Sequence, residues 1–248
     1  MQLNWPLIIV ICCLALPGVI IAVPRLIRLL LPDNSERVQK RVSGLAIGQT
    51  LLMVLILTIA GSVLSLRTGL NAPVLENLLQ GKPVLTLIQN MVLPILLCTI
   101  GGLVVFFVLY YGLVASILDE ATFAIMRKVR TVLALDGCML YGGVVEEIIA
   151  RWGLMNVVAF FSILFYGQKT PLSIWIAILL SGFLVALGQL PAYLAAGCHS
   201  GRRFVYSVLL LNIWQAIVFG WLFWQFGLFA AIVSHMLFHV GWFLYDKT

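Results

Sequence analysis

Glu146, Glu147 and Arg151 stand together in GGVVEEIIARWG, residues 142–153, inside a run that is otherwise apolar. A charge left unpaired in lipid costs at least ~2.5 kcal/mol, so such residues point to pairing or to chemistry. Glu147 and Arg151 are four apart with the acid on the N-terminal side, the favourable order for a helical ion pair. Glu146 lies about 100° around the helix from Glu147 and is left without that cation. A desolvated carboxylate with no cation is suited to proton transfer near neutral pH. If all three residues only tied helices together, one carboxylate would be surplus.

A second pair of candidates lies in SHMLFHV, residues 234–240, where His235 and His239 are spaced i, i+4 on one helix face. The spacing suits two readings. With Glu146 as third ligand, the pair would hold a divalent metal such as zinc at a site with one open position. Without a metal, the two imidazoles act as separate hydrogen-bonding groups. The glutamate that follows the first histidine in a zincin helix is absent. A third element is LGQLPAY, residues 187–193. The Gln189 amide can orient a water or donate to an oxyanion, but it is no base at neutral pH, and it reads equally well as an interhelical hydrogen bond. Asn212 and Gln215 read as interhelical hydrogen bonds, and Asp136 as a cap or surface residue. The five cysteines, Cys12, Cys13, Cys98, Cys138 and Cys198, show no CxxC spacing and read as small apolar fillers.

The elements that must position these side chains are membrane spans. The chain is 62% hydrophobic and 10% charged, against about 25% charged in soluble domains. Runs of about 20 apolar residues fall at 7–23, 44–65, 86–112, 131–166, 172–194, 204–225 and 228–245. The sequence predicts an all-α polytopic transmembrane bundle of about seven to eight spans. The uncertainty in number comes from 131–166, which is too long for one simple crossing and reads as a long or broken helix, or as two pieces. The first run has no basic residue before it and no small-residue cleavage site after it, so it reads as a retained span, kinked at Pro17.

Basic residues cluster at 24–43, 119–130 and 197–203, and the positive-inside rule places all three in the cytoplasm if 131–166 crosses once. That gives seven crossings in the cell membrane, with the N-terminus outside and the C-terminus cytoplasmic. The net charge of +6 is used for orientation and does not argue for a nucleic-acid partner. The loop 66–83 is expected to hold a short amphipathic helix at the outer face. Residues 1–248 form a single membrane domain, with N-terminal spans of unassigned role at 1–120 and a catalytic-type core at 130–245.

Taken in order, EE-x-x-x-R on one span, a polar position before Leu-Pro on the next, and H-x-x-x-polar on the last, the motifs resemble the type II CAAX prenyl endopeptidase and bacteriocin-processing (CPBP, Abi) family of intramembrane proteases. The resemblance covers roughly residues 130–245 and includes WGLM after the first motif, GFLVALGQLPAY and GLFAAIVSHMLFHV. It implies that Glu146 activates a water, that the second-motif residue assists it, and that the last motif stabilises an oxyanion. Glu147 and Arg151 then support the site. Two positions depart from the family pattern. Gln189 stands where the family has histidine, with Val185 in place of the phenylalanine four before it, and His239 stands where the family has asparagine. General acid–base help is worth about 10²–10⁴ in rate. His239 can either donate to the oxyanion or take over as the assisting base.

The expected function is an intramembrane endopeptidase acting on a peptide or protein substrate near the cytoplasmic face, with lipidation of that substrate left open. The alternative is a weakened or inactive relative that serves as a binding, immunity or scaffold protein. A proton-coupled transporter is a third reading, with no internal repeat to support it. The glutamate–water reading requires no cofactor. The bilayer is the one partner composition assigns, and oligomeric state is open.

Overall fold

Each apolar run becomes a helix in the computed structural model, which describes residues 3–246. The helices are α1 (Trp5–Leu30), α2 (Glu36–Thr68), α3 (Pro73–Leu79), α4 (Leu85–Ile117), α5 (Glu120–Tyr166), α6 (Pro171–Ala195), α7 (Arg202–Phe226) and α8 (Leu228–Asp246). All but α3 are long and apolar enough to cross a membrane, so seven such helices are present among the described residues. The helix starts follow local chemistry. The Asn4 side chain accepts from the Leu7 N–H ahead of α1, Asp119 accepts from Thr122 ahead of α5, and Thr170 forms a capping box with Ser173 and is followed by Pro171 at the head of α6. Gly69, at φ 69°, ends α2 in the left-handed conformation that glycine adopts without penalty. Helix α1 runs through Pro17 and Pro24 without ending at either. The short helix α3 lies in the loop where one was expected.

The long run at 131–166 lies on α5, and nearly all of it falls on one piece because the helix breaks near the start of the run, at Ala134. Its φ of 56° and ψ of 178° break the helix there, a conformation that side chains other than glycine rarely adopt. The piece before the break carries Arg127, Lys128 and Arg130; the piece after it carries Glu146, Glu147 and Arg151. Two stretches of the second piece, Cys138–Glu146 and Ile148–Met155, are π-helical, a widened winding frequent at functional sites.

Helix α5 is packed on both sides. Gly61 of α2 faces Trp152, which is fully buried and donates its Nε1–H to the Thr58 carbonyl at 3.1 Å. Asn156, also fully buried, bonds Thr68 at 2.5 Å and the Leu70 carbonyl at 3.3 Å, tying the end of α2 to α5. On the other side Gly143 lies against α8, where a Cβ would stand 3.1 Å from both Met236 Cα and Met236 N. Small residues at such crossings let backbones approach closely, the usual basis of helix packing in lipid. Helices α4 and α8 are joined by Thr99 and Ser234 at 2.8 Å, and α4 and α7 by Trp214 Nε1 on the Gly102 carbonyl at 2.8 Å. Asp136, read from sequence as a cap or surface residue, is half-exposed and is also the partner of Arg25, at 2.6 and 2.8 Å.

Candidate active site

Four helices deliver the site. Glu146 and Glu147 come from the second piece of α5, Gln189 from α6, Asn212 from α7, and His235 and His239 from α8. Gln189 is six residues from the end of α6, His239 seven from the end of α8, and Asn212 ten from the start of α7. At ~1.5 Å per residue the polar groups therefore lie ~9–15 Å in from these helix ends.

The two glutamates point to different partners. Glu147 is almost completely buried. Its Oε2 lies 3.2 Å from Arg151 Nε, and its Oε1 lies 2.8 Å from His235 Nδ1. The arginine contact is an ion pair whose angle falls short of a hydrogen bond, and Arg151 Nη1 is buried without a hydrogen-bond partner. Glu146 instead receives Gln189 Nε2 at 3.3 Å. Asn212 Nδ2 in turn donates to Gln189 Oε1 at 3.1 Å and to the Val208 carbonyl at 3.0 Å. Asn212 is thus an interhelical bond, and it also reaches a site residue. The signal available in sequence was a polar side chain in an apolar run, which does not name its partner.

Glu146, Gln189, His235, His239, Asn212 and Gln215 all line one cavity of about 130 Å³. That is room for several waters, each occupying ≈ 30 Å³ in the liquid. Three phenols, Tyr110, Tyr141 and Tyr193, share its wall, as does Arg130.

The histidines belong to a column of rings. The His235 ring stacks on Phe219 at 4.1 Å and on His239 at 4.8 Å, and His239 stacks on Trp242. The guanidinium of Arg130 lies 3.8 Å over the Trp242 ring. Arg130 and Tyr111 both bond Asp246, and Trp242 Nε1 donates to the Tyr111 hydroxyl at 2.8 Å. Both nitrogens of His239 are shut off from solvent and have no hydrogen-bond partner. None of Arg130, Tyr111, Trp242 and Asp246 was singled out from the sequence, because the contacts join positions more than a hundred residues apart.

The proposed metal trio is not assembled. Among the described residues no group of three His, Cys, Asp or Glu side chains could hold a metal ion. The geometry gives the reason: His235 Nδ1 is turned to Glu147, and its ring lies within 19° of parallel to His239. Lone pairs in two stacked ring planes do not converge on the tetrahedral position that a metal such as zinc requires.

Residues 128–241, just under half of the chain, match the family model described as Type II CAAX prenyl endopeptidase Rce1-like. The matched stretch holds both glutamates, Arg151, Gln189, Asn212 and both histidines of α8. The family match bears out the resemblance carried by the three motifs, and with the seven apolar helices it marks an integral membrane protein. No curated protein and no solved structure matches the chain.

Proposed function

We propose that this protein is a membrane-embedded endopeptidase in which Glu146 activates a water to attack a peptide bond near the cytoplasmic face. One observation carries the reading. Of the two adjacent carboxylates, Glu147 is engaged by Arg151 and His235, while Glu146 faces the cavity with a neutral amide as its hydrogen-bond partner. The water gives its proton to Glu146 and its oxygen attacks the carbonyl carbon. Collapse of the tetrahedral intermediate returns that proton to the leaving amine.

His235 is the oxyanion donor. Its Nδ1–H is held by Glu147, so Nε2 donates only from the doubly protonated ring. His239 stacks beside it with two unpartnered nitrogens and holds the donor ring in place. Gln189 hydrogen-bonds Glu146 but takes no proton.

Orientation follows from charge. Arg25, Arg28, Arg37, Lys40 and Arg41 flank the α1–α2 turn, Arg127, Lys128 and Arg130 lie on the first piece of α5, and Arg202 and Arg203 open α7. In a seven-span chain these fall on one side, which the positive-inside rule makes cytoplasmic. The N-terminus is then outside and the C-terminus inside, and the substrate is a membrane-apposed peptide or protein, lipidated substrates included.

One observation favours a second reading. The amide of Gln189 cannot serve as the assisting base, so a binding or scaffold role with a disabled site fits the same fold. Purified wild type, Glu146→Gln and Gln189→His, assayed on lipidated and unlipidated peptides, separate the two. Cleavage by wild type that disappears in Glu146→Gln supports the peptidase. Silence in wild type with activity in Gln189→His supports the disabled site.

A further inference from the structure

Two amides in this site fix each other's orientation. Asn212 lies 3.0 Å from the Val208 carbonyl and 3.1 Å from Gln189. A backbone carbonyl only accepts, so the Asn212 atom facing it is the amide nitrogen; the flipped amide would set two acceptors face to face. That nitrogen requires an acceptor on Gln189, which is its Oε1. The remaining end of the Gln189 amide, Nε2, is thereby turned to Glu146 Oε1 at 3.3 Å. One backbone carbonyl of α7 sets the polarity of a chain that crosses to α6 and then to α5.

We propose that Asn212 is a positioning residue for Glu146. It holds Gln189 as an N–H donor to one carboxylate oxygen, so that the other oxygen is presented to the cavity. An ionised Glu146 also selects the N–H end of Gln189, but only Asn212 anchors the amide at its other end. With Asn212 gone, the amide loses that anchor and is free to swing away from Glu146, which moves the carboxylate. The Asn212–Gln189 pair therefore does by orientation part of what a single ring would do at position 189. A neutral imidazole also offers one acceptor and one N–H. The catalytic consequence rests on the peptidase reading; the orientation itself does not.

The test is infrared spectroscopy of the purified protein in lipid nanodiscs, with the Glu146 side-chain band assigned by its loss in Glu146→Gln. Asn212→Leu is expected to move that band. Gln189→Leu is expected to move it to the same place, and the double variant no further. Asn212→Ala repeats the measurement with a smaller side chain in case Asn212→Leu fails to fold. A band that stays put on removing Asn212, or a double-variant shift equal to the sum of the single ones, overturns the proposal. This readout needs no substrate, so a protein that cleaves nothing counts against the peptidase reading and leaves the orientation result standing. Where wild type does cleave, Asn212→Leu is expected to lower kcat about 10-fold, the value of one hydrogen bond, with KM unchanged. A change in KM alone contradicts the proposal.

Discussion

Glu147 Oε1 and His235 Nδ1 meet at 2.8 Å although they are 88 residues apart in the chain. The contact divides the labour of the first motif. Glu147 belongs to the frame that holds the histidine, and Glu146 is left for the cavity.

This division predicts opposite outcomes for two similar substitutions. Glu146→Gln keeps size and hydrogen bonding in a half-buried position, so the protein is expected to retain its thermal stability and lose peptide cleavage. Glu147→Gln leaves Arg151 buried and without its carboxylate, a change that costs about 3–5 kcal/mol. Unfolding in detergent followed by circular dichroism, set beside the cleavage assay, checks both. Equal destabilisation by the two variants would remove the distinction drawn between them.

Gln189→His is expected to raise the cleavage rate, by about 10²-fold if the new ring assists the water as a general base. The ring can donate to Glu146 from one nitrogen as the amide now does, and it takes the water's proton at the other once Asn212 gives up its bond to this position. Steady-state kinetics of the two proteins on one cleavable peptide decides this, and an unchanged rate would show that water activation is complete without an imidazole at this position.

Gly143→Ala tests the seam between α5 and α8. The added methyl would press on the Met236 backbone, and overpacking of this kind costs about 1–3 kcal/mol. Glu146 lies on one side of that seam and His235 on the other, so cleavage should fall further than stability alone explains. Activity retained at temperatures well below the unfolding midpoint would show that the seam tolerates a small separation.

A pH effect is expected outside the membrane, at the head of α5. The Asp119 carboxyl accepts from the Thr122 backbone N–H at 2.8 Å, and this, with the Thr122 hydroxyl, holds it below its usual range. A depressed carboxyl contributes stability above its unfolded value, about 3.9, and that contribution is lost as pH falls through the lower folded value. Hydrogen exchange at the Thr122 amide should therefore quicken, relative to neighbouring amides, as pH falls below about 4. Asp119→Asn, which caps without titrating, should remove that dependence. Identical pH profiles in the two proteins would count against the cap.

What could be read from the sequence was local or was carried by hydropathy. The seven spans appear as apolar runs because each needs about 20 such residues, and the Glu147–Arg151 pair appears because i, i+4 neighbours meet on any helix. The pairing of Glu147 with His235, of Asn212 with Gln189 and of Arg25 with Asp136 joins different helices. Periodicity says which face a residue is on but not which helix will lie against it. The break in α5 was hidden for another reason. Ala134 is a strong helix former, and neither glycine nor proline marks the position. The metal alternative came from spacing alone, and ring stacking, which spacing does not report, turned the two histidines away from a common ion.

The column of rings from Phe219 through His235 and His239 to Trp242, closed by Arg130, also settles where the entropy of the site is spent. A histidine on an open helix face must surrender its rotamers when it engages a developing charge. Here both rings are clamped face to face during folding, when burial of the whole bundle offsets the loss. On the peptidase reading, the His235 donor thus meets the transition state already ordered, and its interaction with it is not reduced by a further ordering penalty.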